Sequence, residues 1–184
     1  MNKKSLKLLV AVFCGILPLG LISCGVNPNG VHGTELLKLT DDELYEKVYL
    51  QTLDIVESYP DEETALAKMS AECRTFYILS IFDMEIQNGG LCQFFVNSSR
   101  LLAPYIDECL VTVNAEEQRK LFSSFVTTNN IDLNNLESFE IEDVTEFAAQ
   151  TERYDFESFD NAYIELTPLQ DYLISYIKAN ISVF

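Results

Sequence analysis

The sequence predicts an all-α protein, with a single compact multi-helix domain after a signal peptide and a flexible tether. Two features predict the helices. Apolar residues recur at helical spacing rather than in alternation, and capping or breaking residues separate the segments. A third feature sets the size, because 184 residues of which 48% are hydrophobic are enough for one packed core. We expect the boundaries to be 1–23 for the signal, 24–39 for the tether and 40–184 for the domain.

The first 24 residues combine a basic start, an uncharged apolar run and a short motif that ends in cysteine. The run over 8–17 is shorter than the roughly 18 apolar residues of a membrane span. The motif Leu21-Ile22-Ser23-Cys24 resembles the lipobox of bacterial lipoproteins, in which the cysteine is lipidated and the chain is cut just before it. This resemblance makes 1–23 a lipoprotein signal peptide and Cys24 the lipid attachment site, with an uncleaved signal-anchor helix as the alternative.

The segment after Cys24 has the composition of a flexible tether. Residues 25–34 read GVNPNGVHGT, in which Gly, Pro and Asn leave little to bury. Two or more acyl chains anchor a protein firmly, so the domain needs no membrane-binding surface of its own. We therefore expect a lipid-anchored protein on the extracytoplasmic side of the cell membrane. His32 lies in this tether with no ligand partner nearby, so a metal role is not expected.

Acidic residues greatly outnumber basic ones, and the resulting negative charge argues against several classes of function. There are 12 basic and 29 acidic residues, and removal of the signal leaves 9 basic residues and a net charge of −20. This charge argues against direct binding to nucleic acid, and against attraction to an anionic lipid surface.

The negative charge is concentrated between residues 132 and 165, where eleven acidic residues face one basic residue, Arg153. One interpretation is a solvated face that maintains solubility; the other is a docking face for a cationic protein partner. The residues expected to form that face are Glu140, Glu142, Asp143, Glu146, Asp155 and Glu157. A calcium loop that starts at Asp132 fails the EF-hand pattern, so no metal is expected.

The domain begins with a capping box, Thr40 to Glu43, which predicts a helix that Pro60 ends. Acidic residues 61–63 favour the next helix N-terminus. Residues 64–87 are the most apolar stretch, and we expect one central, almost wholly buried helix there. The triplet Asn88-Gly89-Gly90 suits a helix C-cap or tight turn, and a short apolar segment follows over 91–96.

The second half of the domain contains further helices and one irregular region. Helices are predicted over 101–113, 115–127, 156–166 and 168–180, with Pro168 in the first turn of the last. Residues 129–155 are the least regular part, with a short helix possible over 139–150.

Three cysteines remain after the signal: Cys73, Cys92 and Cys109. Their spacing contains no CxxC and does not suit zinc. They are interpreted as small buried hydrophobic residues, or as one disulfide and a third cysteine.

Catalytic patterns are missing from the sequence of the domain. Nucleophilic triads need a histidine, and 40–184 contains none. No phosphate-binding loop follows Gly89-Gly90. Asp83 and Glu85 are two residues apart on a helix, so they do not face each other as an acid–base pair. A turn-stabilising role is favoured for Glu85. We therefore expect neither an enzyme nor a cofactor.

The turn motif resembles a known family. The pattern Glu85-x-x-Asn88-Gly89-Gly90-Leu91-x-Gln93-Phe94-Phe95-x-Asn97-Ser98 is similar to the signature of the C-terminal domain of the bacterial DNA-mimic protein family. Tyr154-Asp155-Phe156 and Phe159-Asp160 resemble its C-terminal part, and the similarity spans roughly 44–184. Two departures are Leu91, where an aromatic is usual, and Asn114-Ala115, where Gly-Ala is common.

The resemblance implies an all-helical, monomeric domain. In the namesake of the family, surface carboxylates imitate DNA phosphates and occupy a DNA-binding regulator. The motif block is expected to be a capped turn with Phe94 and Phe95 in the core and with Gln93 and Asn97 bonded to the backbone, or else a ligand site.

An exported lipoprotein would not meet a cytosolic regulator, so the two resemblances conflict and we keep the export signal. The resulting expectation is a non-enzymatic, lipid-anchored protein that binds a basic protein partner. An immunity-type inhibitor, or a DNA mimic that occupies a basic nucleic-acid-binding protein or toxin, is the alternative.

Overall fold

The computed structural model describes residues 35–184, and eight α-helices lie within that range, with no strand there. They are α1 (Asp41–Glu57), α2 (Glu62–Lys68), α3 (Ala71–Val96), α4 (Ala103–Thr112), α5 (Glu116–Thr128), α6 (Val144–Thr151), α7 (Phe156–Ile164) and α8 (Leu169–Ala179). Two 3₁₀ turns, Ser98–Leu102 and Glu137–Phe139, precede α4 and α6. The all-α prediction is confirmed. The predicted signal peptide, Cys24 and His32 lie outside the described residues.

The first helix begins at the predicted capping box. The Glu43 backbone N–H donates to Thr40 Oγ1 at 3.4 Å, and the Thr40 N–H donates to Glu43 Oε2 at 2.9 Å. These bonds satisfy amides that a helix start leaves without partners. Leu44 and Val48 are fully buried on one side of α1. Leu36 is also buried in the core, so packing begins before Thr40.

The prediction of one continuous helix over 64–87 is wrong. Helix α2 ends at Lys68, Met69 adopts an extended conformation, and Ser70 starts a new helix. The Ser70 hydroxyl accepts a hydrogen bond from the Cys73 N–H at 3.1 Å. A serine cap competes with the helix interior for backbone amides, and here it divides the apolar stretch into two helices.

Helix α3 is the centre of the domain, and α1, α4, α7 and α8 pack around it. It is buried on nearly every side between Cys73 and Ile86, as its composition predicts. The Phe82 ring lies edge-on to the rings of Phe94, Phe122 and Tyr163, at centroid distances of 5.1, 5.4 and 6.1 Å. Edge-to-face packing is favourable for aromatic rings, so α3 joins α5 and α7 into one aromatic core.

The helices after α3 match the predicted positions, with two differences at their starts. The helix predicted over 101–113 begins as the 3₁₀ turn Ser98–Leu102 and becomes α-helical only at Ala103. Pro168 is the N-cap of α8 rather than part of its first turn, because its ψ of 133° is extended. Asn114 has a φ of +62°, a conformation that glycine and asparagine tolerate best. This explains why an asparagine can replace the glycine that is common there.

The three cysteines of the domain are buried, and no disulfide joins them within residues 35–184. Burial raises the pKa of the Cys92 and Cys109 thiols to about 11, which disfavours the reactive thiolate. Within the same residues, no helix is long and apolar enough to cross a membrane.

Candidate functional site

The two glycines of the motif interrupt α3. Gly89 has φ −163° and ψ 20°, and Gly90 has φ +78° and ψ 176°, so the helix bends and resumes at Leu91. A Cβ atom on Gly90 would collide with the Asp160 carboxylate, and one on Gly89 would collide with the Gln93 side chain. Positive φ and close approach therefore both require glycine at position 90.

The buried carboxylate of Glu85 lies beside this bend and accepts hydrogen bonds from three side chains that follow it. Gln93 Nε2 donates to Glu85 Oε2 at 2.7 Å, and Asn97 Nδ2 donates to the same oxygen at 2.9 Å. Ser99 Oγ donates to Glu85 Oε1 at 3.0 Å. Glu85 is only 8% exposed, and a buried carboxylate requires such donors. We call Glu85, Gln93, Asn97 and Ser99 the carboxylate cluster.

A second carboxylate joins the bend to α7. The Leu91 N–H, which the bend removes from the helical pattern, donates to Asp160 Oδ1 at 2.8 Å. Partial burial raises the pKa of the Asp160 carboxyl, and the Leu91 hydrogen bond opposes that rise. Asp160 therefore acts as a cap supplied by a distant helix.

A third carboxylate, Asp83, connects α3 to the same helix. Tyr163 Oη donates to Asp83 Oδ1 at 2.8 Å. Burial raises the pKa of Asp83, and the Tyr163 hydrogen bond opposes the rise. Burial, and then the neighbouring Asp83, raise the pKa of Tyr163 far above its usual range. Asp160 and Tyr163 are three residues apart, so they occupy one side of α7.

The motif residues predicted from the sequence are only partly brought together. Phe94 and Phe95 are fully buried in the core, and Asn88 is exposed. The expectation that the Gln93 and Asn97 side chains bond the backbone is wrong: both donate to the buried Glu85 carboxylate, which is the stronger acceptor.

Sequence reasoning missed three residues of this region: Ser99, Asp83 as a partner of α7, and Tyr163. No sequence signal marks Ser99, because its contact depends on the path of the chain after the bend. Within residues 35–184, no group of three or more His, Cys, Asp or Glu residues could hold a metal ion.

The six residues predicted to form the acidic docking face are all exposed, but several have structural roles. Asp143 caps α6 through the Thr145 and Glu146 amides, and Asp155 caps α7 through the Ser158 amide. Glu140 forms an ion pair with Arg100 at 2.7 Å. Glu146 accepts a hydrogen bond from the Glu142 N–H at 2.5 Å. Of these six residues, Glu142 and Glu157 are the two whose carboxylates form no capping hydrogen bond or ion pair within the described part of the chain.

The one basic residue of the acidic segment is held within it. Arg153 lies over the rings of Phe139 and Tyr154, with its guanidinium carbon 5.7 and 5.3 Å from their centroids. It also donates to the Ser138 carbonyl at 2.8 Å, and Gln150 donates to the same oxygen. Stacking and hydrogen bonds occupy the guanidinium, so it compensates few of the surrounding carboxylates.

The fold and the motif together define a class of protein. It is an acidic, all-helical domain whose central helix bends at two glycines and whose buried glutamate accepts hydrogen bonds from side chains that follow the bend. Residues 67–180 match the sequence model of the DMP19-like protein family. The match covers more than half of the chain, which therefore belongs to the DMP19-like family, a family of DNA-mimic type. Comparisons with curated proteins and with solved structures gave no significant match.

Substitution of the two glycines tests the account of the bend. We expect Gly90→Ala to lower the free energy of unfolding by about 1–3 kcal/mol, because alanine is strained at positive φ and its Cβ meets Asp160. Gly89→Ala is the matched control and should cost less, because its φ of −163° is open to alanine, so its cost is confined to displacing the Gln93 side chain from Glu85. Urea unfolding of both variants measures the difference. Equal stability of the two variants would contradict the conclusion that position 90 requires glycine.

The raised pKa of Asp83 predicts a pH dependence with a defined sign. A carboxyl whose pKa is higher in the folded than in the unfolded chain lowers stability as the pH rises from about 4 through the raised value. Relative to the parent chain, Asp83→Asn should therefore become progressively more stable as the pH rises from about 4 through the raised pKa of Asp83. Urea unfolding across this range measures the gain, and Asp54→Asn removes an exposed carboxylate as a control. If the stability of the two variants depends on pH in the same way, the raised pKa of Asp83 is not the cause of the pH dependence.

Proposed function

We propose that the chain is a non-enzymatic, lipid-anchored extracytoplasmic protein whose acidic helical domain binds a basic protein partner. Membership of a DNA-mimic family supports the binding of a basic partner, and such proteins are generally non-enzymatic. The lipid anchor is supported by the basic start, the apolar run and the Cys24 motif, which occur in the required order.

The charge distribution is the observation that carries the proposal. All 29 acidic residues lie in residues 35–184, where nine basic residues accompany them. Arg100, Arg119, Lys120 and Lys178 form ion pairs, and Arg153 is stacked on aromatic rings. Most exposed carboxylates therefore keep their charge available to a cationic surface, which they would attract over a Debye length of about 10 Å.

A DNA mimic or an immunity-type inhibitor is the second candidate, and family membership favours it. Duplex DNA presents one charge per about 1.7 Å of its axis, and a protein that binds it has a basic surface which a dense row of carboxylates fits. The basic partner would be a nucleic-acid-binding protein or a toxin. This candidate differs from the first in location if its partner is cytosolic.

Location is tested through Cys24. We expect labelled fatty acid to be incorporated into the parent chain and lost in Cys24→Ser, because the cysteine sulfur is the acyl attachment point. Cys14→Ser, in the apolar run, is the matched control and should retain the label. Protease added outside an intact cytoplasmic membrane should degrade the domain. An unlabelled and protected chain would refute the anchor and favour a cytosolic DNA mimic.

The acidic docking face is tested by neutralising two of its residues, Glu142 and Glu157, together with two further exposed glutamates of the acidic segment, none of which caps a helix with its side chain. The variant Glu137→Gln, Glu142→Gln, Glu152→Gln and Glu157→Gln removes four exposed charges of the acidic segment. The control variant Glu46→Gln, Asp54→Asn, Glu57→Gln and Glu63→Gln removes the same number from α1 and α2. We expect cross-linking of the basic partner in cells to decrease in the first variant and to persist in the second.

The same cross-linking, repeated on isolated membranes, should weaken as the salt concentration rises from about 0.1 to about 0.5 M, because salt screens exposed charges. If the amount of cross-linked partner changes neither with the four substitutions nor with salt, the acidic face is not the docking surface.

A further inference from the structure

The exposed side of α4 and of the 3₁₀ turn before it is mainly apolar. Leu101 is 65% exposed, and Tyr105 and Val111 are each 49% exposed. Pro104 is exposed between them. Leu101, Pro104 and Tyr105 are three or four residues apart and therefore adjacent, whereas Val111, seven residues after Pro104, lies on the same side two turns further along, beyond the exposed Glu108. We call Leu101, Pro104, Tyr105 and Val111 the apolar face.

No other helix within residues 35–184 presents such a face. The exposed side of α1 contains six acidic residues and a lysine, and that of α5 begins with two glutamates. Single exposed apolar residues need no explanation, but several on one side of one helix do. Core packing does not explain them either, because Ile106 and Leu110 on the opposite side of α4 already fill the core.

The apolar face is held rigidly by the carboxylate cluster. Ser99, two residues before Leu101, donates to Glu85, and the Arg100 guanidinium donates to the carbonyls of Val96 and Asn97 at 3.1 and 3.0 Å. The two residues that precede the exposed leucine in the 3₁₀ turn are therefore both hydrogen-bonded to α3 and its C-cap. A preorganised surface loses less entropy when a partner binds.

Acidic residues border the apolar face. The ion pair between Arg100 and Glu140 brings the acidic segment next to Leu101, and Glu108 is exposed within the face itself. The exposed residues of α4 include no lysine or arginine. The apolar face with its acidic border is therefore complementary to a partner surface on which basic residues surround apolar ones. A second copy of this chain fits poorly, because 29 acidic residues against nine basic ones would repel each other.

We propose that the apolar face is a docking surface for an amphipathic, basic helix of a protein partner. The apolar side of that helix covers Leu101, Tyr105 and Val111, and its lysines and arginines meet Glu108 and the acidic segment. This docking proposal rests on the proposed function, since the acidic charge attracts the same basic partner. The apolar face adds short-range contacts that discriminate among basic partners.

Two synthetic helical peptides of identical composition test the proposal on the purified full-length protein. Both contain leucine and lysine. In the first, the leucines lie along one side; in the second, the same residues are shuffled so that no apolar side exists. Fluorescence anisotropy measures their affinities at about 0.1 and about 0.5 M salt. We expect the first peptide to bind about tenfold more tightly, an advantage equal to about 1.4 kcal/mol that persists at high salt because apolar contacts are not screened.

The variant Leu101→Ser and Tyr105→Ser should abolish this advantage, whereas Ile164→Ser, at a 64% exposed position on α7, should leave it unchanged. All these positions are exposed, and circular dichroism verifies that the variants fold. An advantage that survives in the double variant would overturn the proposal. So would sedimentation of the parent chain as a dimer that the double variant dissociates, which would assign the apolar face to self-association.

The acidic variant separates this proposal from the proposed function. Equal binding of both peptides, reduced by Glu137→Gln, Glu142→Gln, Glu152→Gln and Glu157→Gln, would retain the acidic face and reject the apolar one. If neither of the two peptides binds, both the acidic face and the apolar face are rejected as docking surfaces.

Discussion

The buried carboxylate of Glu85 determines where the chain goes after the bend in α3. A charge in a protein interior is costly unless hydrogen bonds satisfy it. Gln93 in the last turn of α3, Asn97 at its C-cap and Ser99 in the 3₁₀ turn supply those bonds. All three donors lie after Gly89 and Gly90, so the chain has to turn back for them to reach one carboxylate. The bend, the 3₁₀ turn and the start of α4 are therefore positioned together, and loss of any donor would leave a buried charge partly unsatisfied.

The bend also explains how the acidic segment is attached to the core. Asp160 accepts the amide that the bend leaves without a helical partner, and Tyr163 donates to Asp83 one turn further along the same helix. These two bonds fix α7 against α3 through polar contacts, while Phe159 stacks on Tyr163 at 5.9 Å between centroids. Glu157 on α7 and the flanking Asp155 and Glu165 are exposed, so polar bonds within the core determine how these charges are presented to solvent.

The sequence was informative where structure depends on neighbours in the chain and less so where it depends on tertiary contact. The capping box at Thr40 needs only four consecutive residues, and it was recognised. The Ser70 cap is equally local, but the apolar composition around it concealed the break. The glycine motif indicated a turn and Glu85 a stabilising role, whereas the partners of Glu85 depend on the bend itself. Asp160 lies 69 residues from the amide that it caps, and spacing cannot show such a contact.

Negative charge alone gives a protein many possible partners, because every basic surface is attracted by it. Long-range attraction raises encounter rates, but selection among cationic partners requires contacts that only one shape and one apolar pattern can make. The carboxylate cluster places the apolar face beside the acidic segment through consecutive residues, with Ser99 bonded to Glu85, Arg100 paired with Glu140, and Leu101 exposed. The family motif is thus linked to the surface by two residues, which relates a buried structural element to the choice of partner. On this argument, charge brings the partner to the domain and the apolar face determines which partner stays bound.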